Sequence, residues 1–140
     1  MAIAGLDVGK ERIGIAICDS SGKEPHPVTT IQRRSLPLDL ETLERELTSR
    51  SVARIVIGLP LNIDGSEGQA ARRMRGFAIK VEEALKIPVE LCDERLTSFE
   101  ARERLRDLPI RAARRRQAVD AIAAMLILEH WLERNHPPTS

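Results

Sequence analysis

The first nineteen residues constrain this chain more than any other stretch. Ala2-Ile3-Ala4-Gly5-Leu6-Asp7-Val8 and Ile13-Gly14-Ile15-Ala16-Ile17-Cys18-Asp19 are two short apolar runs rich in Ile, separated by Gly9-Lys10-Glu11-Arg12. Short apolar runs bounded by turn residues read as strands, and the brief connection between them predicts an antiparallel hairpin. A strand this apolar is expected to be buried on both faces. Asp7 then stands where an ionised carboxylate is costly without a partner. A divalent cation is one such partner, because Mg²⁺ and Mn²⁺ favour carboxylate oxygen. Capping the turn before Gly9 is the other ordinary use of an Asp here.

The rest of the chain supplies what this hairpin needs. Val28 to Ile31 reads as a third strand, with Pro25 and Pro27 keeping its start at a sheet edge. Leu36, Leu40, Leu43 and Leu47 mark one face of a helix over residues 37–50. Ile55 to Leu59 is a buried strand ending at Pro60. Residues 61–68 form a loop in which Ser66 is the expected N-cap of the next helix. That helix carries Met74, Phe77, Ala78, Val81 and Leu85 inward and Arg72, Arg73, Arg75 and Lys80 outward. Residues 88–92 form the last strand, followed directly by Asp93-Glu94-Arg95. Thr97 or Ser98 can cap a helix running through Glu100 to Arg106, and a final helix covers roughly residues 114–134, with a frayed tail after it. Three strands, helix, strand, helix, strand and two helices predict an α/β fold with a hairpin-led mixed sheet and helices on its faces.

Length favours a single domain over residues 1–140. The net charge is only +1, so any surface for a polyanion must come from local segregation of charge. Cys18 and Cys92 each end an apolar run, which suits buried reduced thiols in a cytoplasmic protein rather than a disulfide framework. No signal peptide and no run of about 20 apolar residues is present, so no membrane partner is expected. Phe77, Phe99 and Trp131 are the only aromatic residues. That is too few for a platform of stacked bases, so a nucleic acid would be read by backbone and shape.

In an open α/β sheet, sites form beyond the carboxyl ends of parallel strands. Asp7 ends the first strand, and Asp93 and Glu94 end the last. Successive strand residues point to opposite faces, so one of the pair is expected to face Asp7, and the sequence leaves open which. Asp120 interrupts the apolar helix segment 118–124. An ion pair with Arg116, four residues earlier, would be worth only ~0.3–0.5 kcal/mol on an exposed surface. The near absence of other charge from Gln117 to Leu128 implies instead that Asp120 is buried. Three carboxylates on two strand ends and one helix suit a two-metal phosphodiesterase, with Mg²⁺ or Mn²⁺ as the ions. His26, His130 and His136 are scattered and form no expected triad. Arg111, Arg114, Arg115 and Arg116 precede Asp120 in a segment short of acidic neighbours, and Arg forks suit phosphate oxygens. Lys10, Arg12, Arg72 and Arg73 extend the candidate nucleic-acid surface.

Gly5-Leu6-Asp7-Val8-Gly9 with Arg12-Ile13-Gly14, Gly58-Leu59-Pro60, Asp93-Glu94-Arg95-Leu96-Thr97-Ser98 and Asp120-Ala121-Ile122-Ala123-Ala124 occur in an order that resembles the YqgF family. Its members are also described as RuvX-type Holliday junction resolvases. The resemblance covers nearly the whole chain. It implies an RNase H-like fold, with a five-stranded mixed sheet whose second strand is antiparallel, and helices on both faces. It implies a metal-dependent endonuclease, with Asp7, Asp93, Glu94 and Asp120 in the acidic positions and Arg12 and Arg95 beside them. Two roles come with it: maturation of the 5′ end of precursor 16S rRNA, and resolution of four-way DNA junctions, which would require a two-fold homodimer. Arg116 stands where the family often has Lys, which argues against proton transfer at that position, since Arg stays protonated. Two other classes stay open. The Asp-x-Gly hairpin is similar to the phosphate-binding strand pair of actin-like ATPases and sugar kinases, and the carboxylates could be structural in a non-catalytic nucleic-acid-binding module.

Overall fold

The computed structural model describes residues 1–19, 24–94, 97–106 and 111–135, without the side chains of residues 97–99, 112, 113 and 116. Five strands form one sheet: β1 (Ala2–Val8), β2 (Arg12–Asp19), β3 (His26–Gln32), β4 (Val52–Leu59) and β5 (Val89–Asp93). Their spatial order is β3-β2-β1-β4-β5. β2 runs antiparallel to both β1 and β3, whereas β1, β4 and β5 pair in parallel. The hairpin expected from the opening residues is therefore the middle of the sheet, and the second strand is the antiparallel one. Pro27 lies inside β3 rather than before it. An edge strand tolerates this, because one side of its backbone has no ladder to complete.

Strand periodicity sorts the core into two layers. Leu6, Ile13, Ile15, Ile55 and Ile57 face helices α1 (Leu36–Thr48) and α2 (Gln69–Leu85), where they meet Leu43, Leu47, Met74 and Val81. Ile3, Ala16, Cys18, Val56 and Cys92 face α4 (Ala112–Asn135), against Ala124, Ile127, Leu128 and Trp131. Both cysteines are buried and free. Helix α3 (Thr97–Leu105) packs outside α4, with Ala101 against Ala123 and Leu126.

Glycines in three neighbouring strands decide how closely α4 lies on the sheet. A Cβ on Gly5 would stand 2.6 Å from Leu128 Cγ and 2.7 Å from the Ala124 carbonyl. A Cβ on Gly14 would collide with the carbonyl of Asp120. The helix backbone therefore rests on strand backbone, which side chains on either partner would prevent. Ala121 and Ala124 keep the helix side of this contact small.

The start of α2 departs from the sequence expectation. Gly68, not Ser66, is its N-cap, and no side chain caps the helix. The Ser66 hydroxyl donates to Asp64 Oδ1 at 2.6 Å, and the Ser66 amide donates to the same oxygen at 2.9 Å. The nearby Asp64 carboxylate engages Ser66 within the loop, the usual competition between local side-chain bonds and helix capping. Helix α1 does have a side-chain cap: Ser35 Oγ accepts from the Leu38 amide at 3.4 Å, with Pro37 in the first turn.

Candidate active site

Asp7 is the penultimate residue of β1 and shares the α4-facing side of that strand with Ile3 and Gly5. On β5 the same alternation puts Glu90 and Cys92 on the α4 side: Cys92 packs there, and Glu90 Oε2 accepts from Trp131 Nε1 at 2.7 Å. Continuing by two residues puts Glu94 on the face of Asp7 and Asp93 on the other. The Glu94 amide donates to the Leu59 carbonyl at 3.2 Å, which extends the β4–β5 ladder by one bond and fixes this orientation.

β4 lies between β1 and β5, so Asp7 and Glu94 start two strand spacings apart, about 9–10 Å. Gly58 occupies the intervening position. A Cβ there would come within 2.7 Å of Glu94 Oε2 and 2.9 Å of Glu94 Cβ. The missing side chain leaves the path along which Glu94 crosses β4 to hydrogen-bond Asp7. Two half-buried carboxyl groups in contact cannot both ionise cheaply. Burial raises Asp7 to about 6, with the nearby charge of Asp120 adding to the rise. Burial and then the Asp7 charge raise Glu94 to about 8. Near neutral pH, Glu94 holds the proton and donates to the Asp7 carboxylate.

Asp120 projects from α4 near this pair, where its helix crosses Gly14. Its Oδ2 accepts from Arg12 Nε at 2.6 Å. Arg12 begins β2, and Thr30 Oγ1 on β3 donates to the Gln117 carbonyl at 2.7 Å, a second tie between sheet and helix. The expected acids thus meet at one end of the sheet, two in direct contact and the third held by an arginine. Among the described residues no group of three or more acidic, His or Cys side chains is placed to hold a cation as the side chains stand. The donor chemistry nonetheless fits a hard divalent ion. The Asp7–Glu94 contact is held together by a proton that a cation can replace, and all the available donors are carboxylate oxygens.

The basic candidates divide. Lys10 is exposed at the tip of the β1–β2 turn, and Arg72 and Arg73 are exposed on α2. Arg111 and Arg114 are exposed near the start of α4. Arg115 Nη1 donates to the Leu105 carbonyl at 2.7 Å, so this side chain ties α4 to the end of α3. Arg95 and the Arg116 side chain lie outside the described residues. One residue escaped the sequence reading. Arg33 Nη1 donates to the Gly9 carbonyl at 2.8 Å, its Nε lies 3.3 Å from Asp39 Oδ2, and its guanidinium stands 5.2 Å from the Phe77 ring centre. Asp39 is only 3% exposed and also accepts from the Arg34 amide at 2.9 Å. The available signal was an Arg-Arg-Ser run immediately before a helix with Asp in its first turn.

Comparison with known proteins bears on the family and the fold. A family model described as "RuvX: Holliday junction resolvase" matches residues 1–134. A protein of Anaeromyxobacter sp. (strain K), named "Putative pre-16S rRNA nuclease", is 47% identical over 98% of this chain and its own full length. A protein of the same name from Myxococcus xanthus (strain DK1622) is 41% identical over 99% of this chain and 91% of its own. Among solved structures, Thermus thermophilus RuvC superposes with a TM-score of 0.59 at 12% identity, over 96% of this chain and 97% of that one. That likeness concerns the fold.

Proposed function

Because the chain belongs to the RuvX family, we propose that it is a metal-dependent nuclease that hydrolyses phosphodiester bonds in structured nucleic acid and matures the 5′ end of precursor 16S rRNA. The names of relatives that match along nearly their whole length support the substrate. The observation that carries the chemistry is the Asp7–Glu94 contact with Asp120 beside it. Burial keeps a proton between two carboxyl groups that would otherwise both be charged, and a cation can take that proton's place.

Asp7, Glu94 and Asp120 would hold Mg²⁺ or Mn²⁺, and two ions suit a displacement with an attacking and a leaving oxygen. Bound there, the cation would supply charge stabilisation to the phosphoryl oxygens. Asp7, set in its strand, would be the fixed anchor, and Glu94 would give up its proton to a bound cation. Arg12 orients Asp120 and keeps a positive charge at the rim, facing an incoming phosphate. Asp93, on the opposite side of β5, adds negative charge near Glu94 without sharing its face. Lys10, Arg72, Arg73, Arg111 and Arg114 offer exposed positive charge for the flanking backbone.

The family description favours one second reading, cleavage of four-way DNA junctions. Both readings are tested together by incubating a precursor 16S leader transcript and a four-way junction with wild type and Asp7→Asn, with Mg²⁺ or Mn²⁺ present. Cleavage of the leader at one position, lost in the variant, supports the proposal. Cleavage of the junction alone transfers it to the second reading, and equal activity of the variant removes Asp7 from the mechanism.

A further inference from the structure

Beside the carboxylate pair, on the opposite side of the sheet from α4, the molecule has a cavity of about 620 Å³ between the β1–β2 turn and α2. Its volume falls within the roughly 300–1,000 Å³ range of small-molecule sites. Leu36, Pro60, Met74 and Phe77 give it an apolar floor. Lys10, Arg33, Arg73 and Lys80 surround that floor, and Glu94 lines the end nearest the carboxylates. Among the described residues, Lys10, Arg73 and Lys80 are in no ion pair, whereas Arg75 on the same helix is neutralised by Glu67 at 2.6 Å.

Two details point to an occupant. Leu36 is 38% exposed although it lies on the periodic apolar face of α1, because the cavity lies in front of it. Gly76 sits in the middle of α2, where glycine destabilises a helix relative to Ala. A Cβ on Gly76 would meet nothing within 4 Å. Packing against the protein therefore does not require this glycine, and it borders the cavity.

We propose that this cavity binds one unpaired nucleotide of the substrate strand adjoining the cleavage site, with the base against Leu36, Met74 and Phe77 and the phosphates toward Lys10 and Arg73. Apolar floor, cationic rim and an end shared with Glu94 match a nucleotide's base, phosphate and attachment to the strand at the carboxylates. One nucleotide needs only one such floor, so the scarcity of aromatic residues is no obstacle. The Arg33 guanidinium over Phe77 adds a flat cationic surface of the kind on which bases stack. The inference rests on the nuclease reading and narrows its substrate to strands with an unpaired segment beside the cut.

The test is binding, measured by fluorescence anisotropy without divalent cation. The probes are a labelled 12-nucleotide single-stranded RNA and a blunt duplex of the same sequence. Gly76→Met places a side chain in the cavity from an open helical position. It should raise the thermal midpoint through better helix propensity and weaken single-strand binding at least tenfold, with the duplex changed less than twofold. Arg73→Ala should weaken single-strand binding and reduce the salt slope by about one. Single-strand affinity unchanged in Gly76→Met, or weakened equally with the duplex, overturns the proposal. The two readings fail separately: loss of cleavage in Asp7→Asn registers the catalytic reading, whereas the single-strand-to-duplex binding ratio in Gly76→Met registers the nucleotide site.

Discussion

The proton between Asp7 and Glu94 ties this protein's stability to pH. Unfolded, the two groups titrate near 3.9 and 4.3; folded, they are raised to about 6 and about 8. The native state therefore binds more protons than the unfolded state between about pH 4 and pH 8. The stability this contributes is fully present below about pH 4 and is lost as pH rises through both folded values. Urea unfolding with chelator present should show lower stability at pH 8.5 than at pH 5.5, and Glu94→Gln should flatten that slope. A cation replaces the proton, so the thermal shift caused by Mn²⁺ should be larger at pH 8 than at pH 5. A shift independent of pH would separate metal binding from this pair. Asp7→Asn should lower cleavage by at least about 100-fold with a thermal midpoint at pH 8 no lower than wild type, since it removes a buried charge. Arg12→Ala leaves Asp120 without its 2.6 Å partner and should reduce cleavage by about 10–100-fold, the usual scale for a group that orients a ligand.

At the scale of elements, the site depends on strands that bring their backbones close to other groups. Gly58→Ala would put a methyl group into the path of Glu94. The expected result is loss of most cleavage together with a shallower pH dependence of stability, while far-ultraviolet circular dichroism stays native. Gly14→Ala is harsher, because its Cβ meets helix backbone rather than a movable side chain. Overpacking of this kind costs about 1–3 kcal/mol or more, and it should appear as a thermal midpoint several degrees lower. Both glycines were visible in the sequence as interruptions of apolar runs, but what they accommodate was not. The choice between Asp93 and Glu94 is similar. Period-2 alternation made it a question of register, and the packing of Cys92 and Glu90 against α4 answered it. Ser66 shows the limit of local signals: cap chemistry was present, but Asp64 two residues away competed for it.

At the scale of the molecule, the parallel arrangement of β1, β4 and β5 brings residue 7 and residue 94 to the same end of the sheet, with α4 laid across to deliver Asp120. Among the described residues no helix is long and apolar enough to cross a membrane. Oligomeric state separates the two substrate readings. Sedimentation of the protein with a four-way junction that shows at most one copy of the chain per junction would count against symmetric junction cutting. A stable two-to-one complex would favour symmetric junction cutting.

Hydrophobic periodicity, the Gly and Pro punctuation and the isolated acids in apolar runs pointed to the order of elements, the mixed sheet and a set of candidate carboxylates, because each is a local property of neighbouring residues. Which acids touch, which arginine holds Asp120 and where a cavity opens beside Glu94 were decided only by tertiary structure. Those facts depend on strand order and on the distance between a helix and a sheet. Both are set by contacts between residues far apart in the chain, Arg12 and Asp120 being 108 positions apart, for which a linear pattern carries no sign.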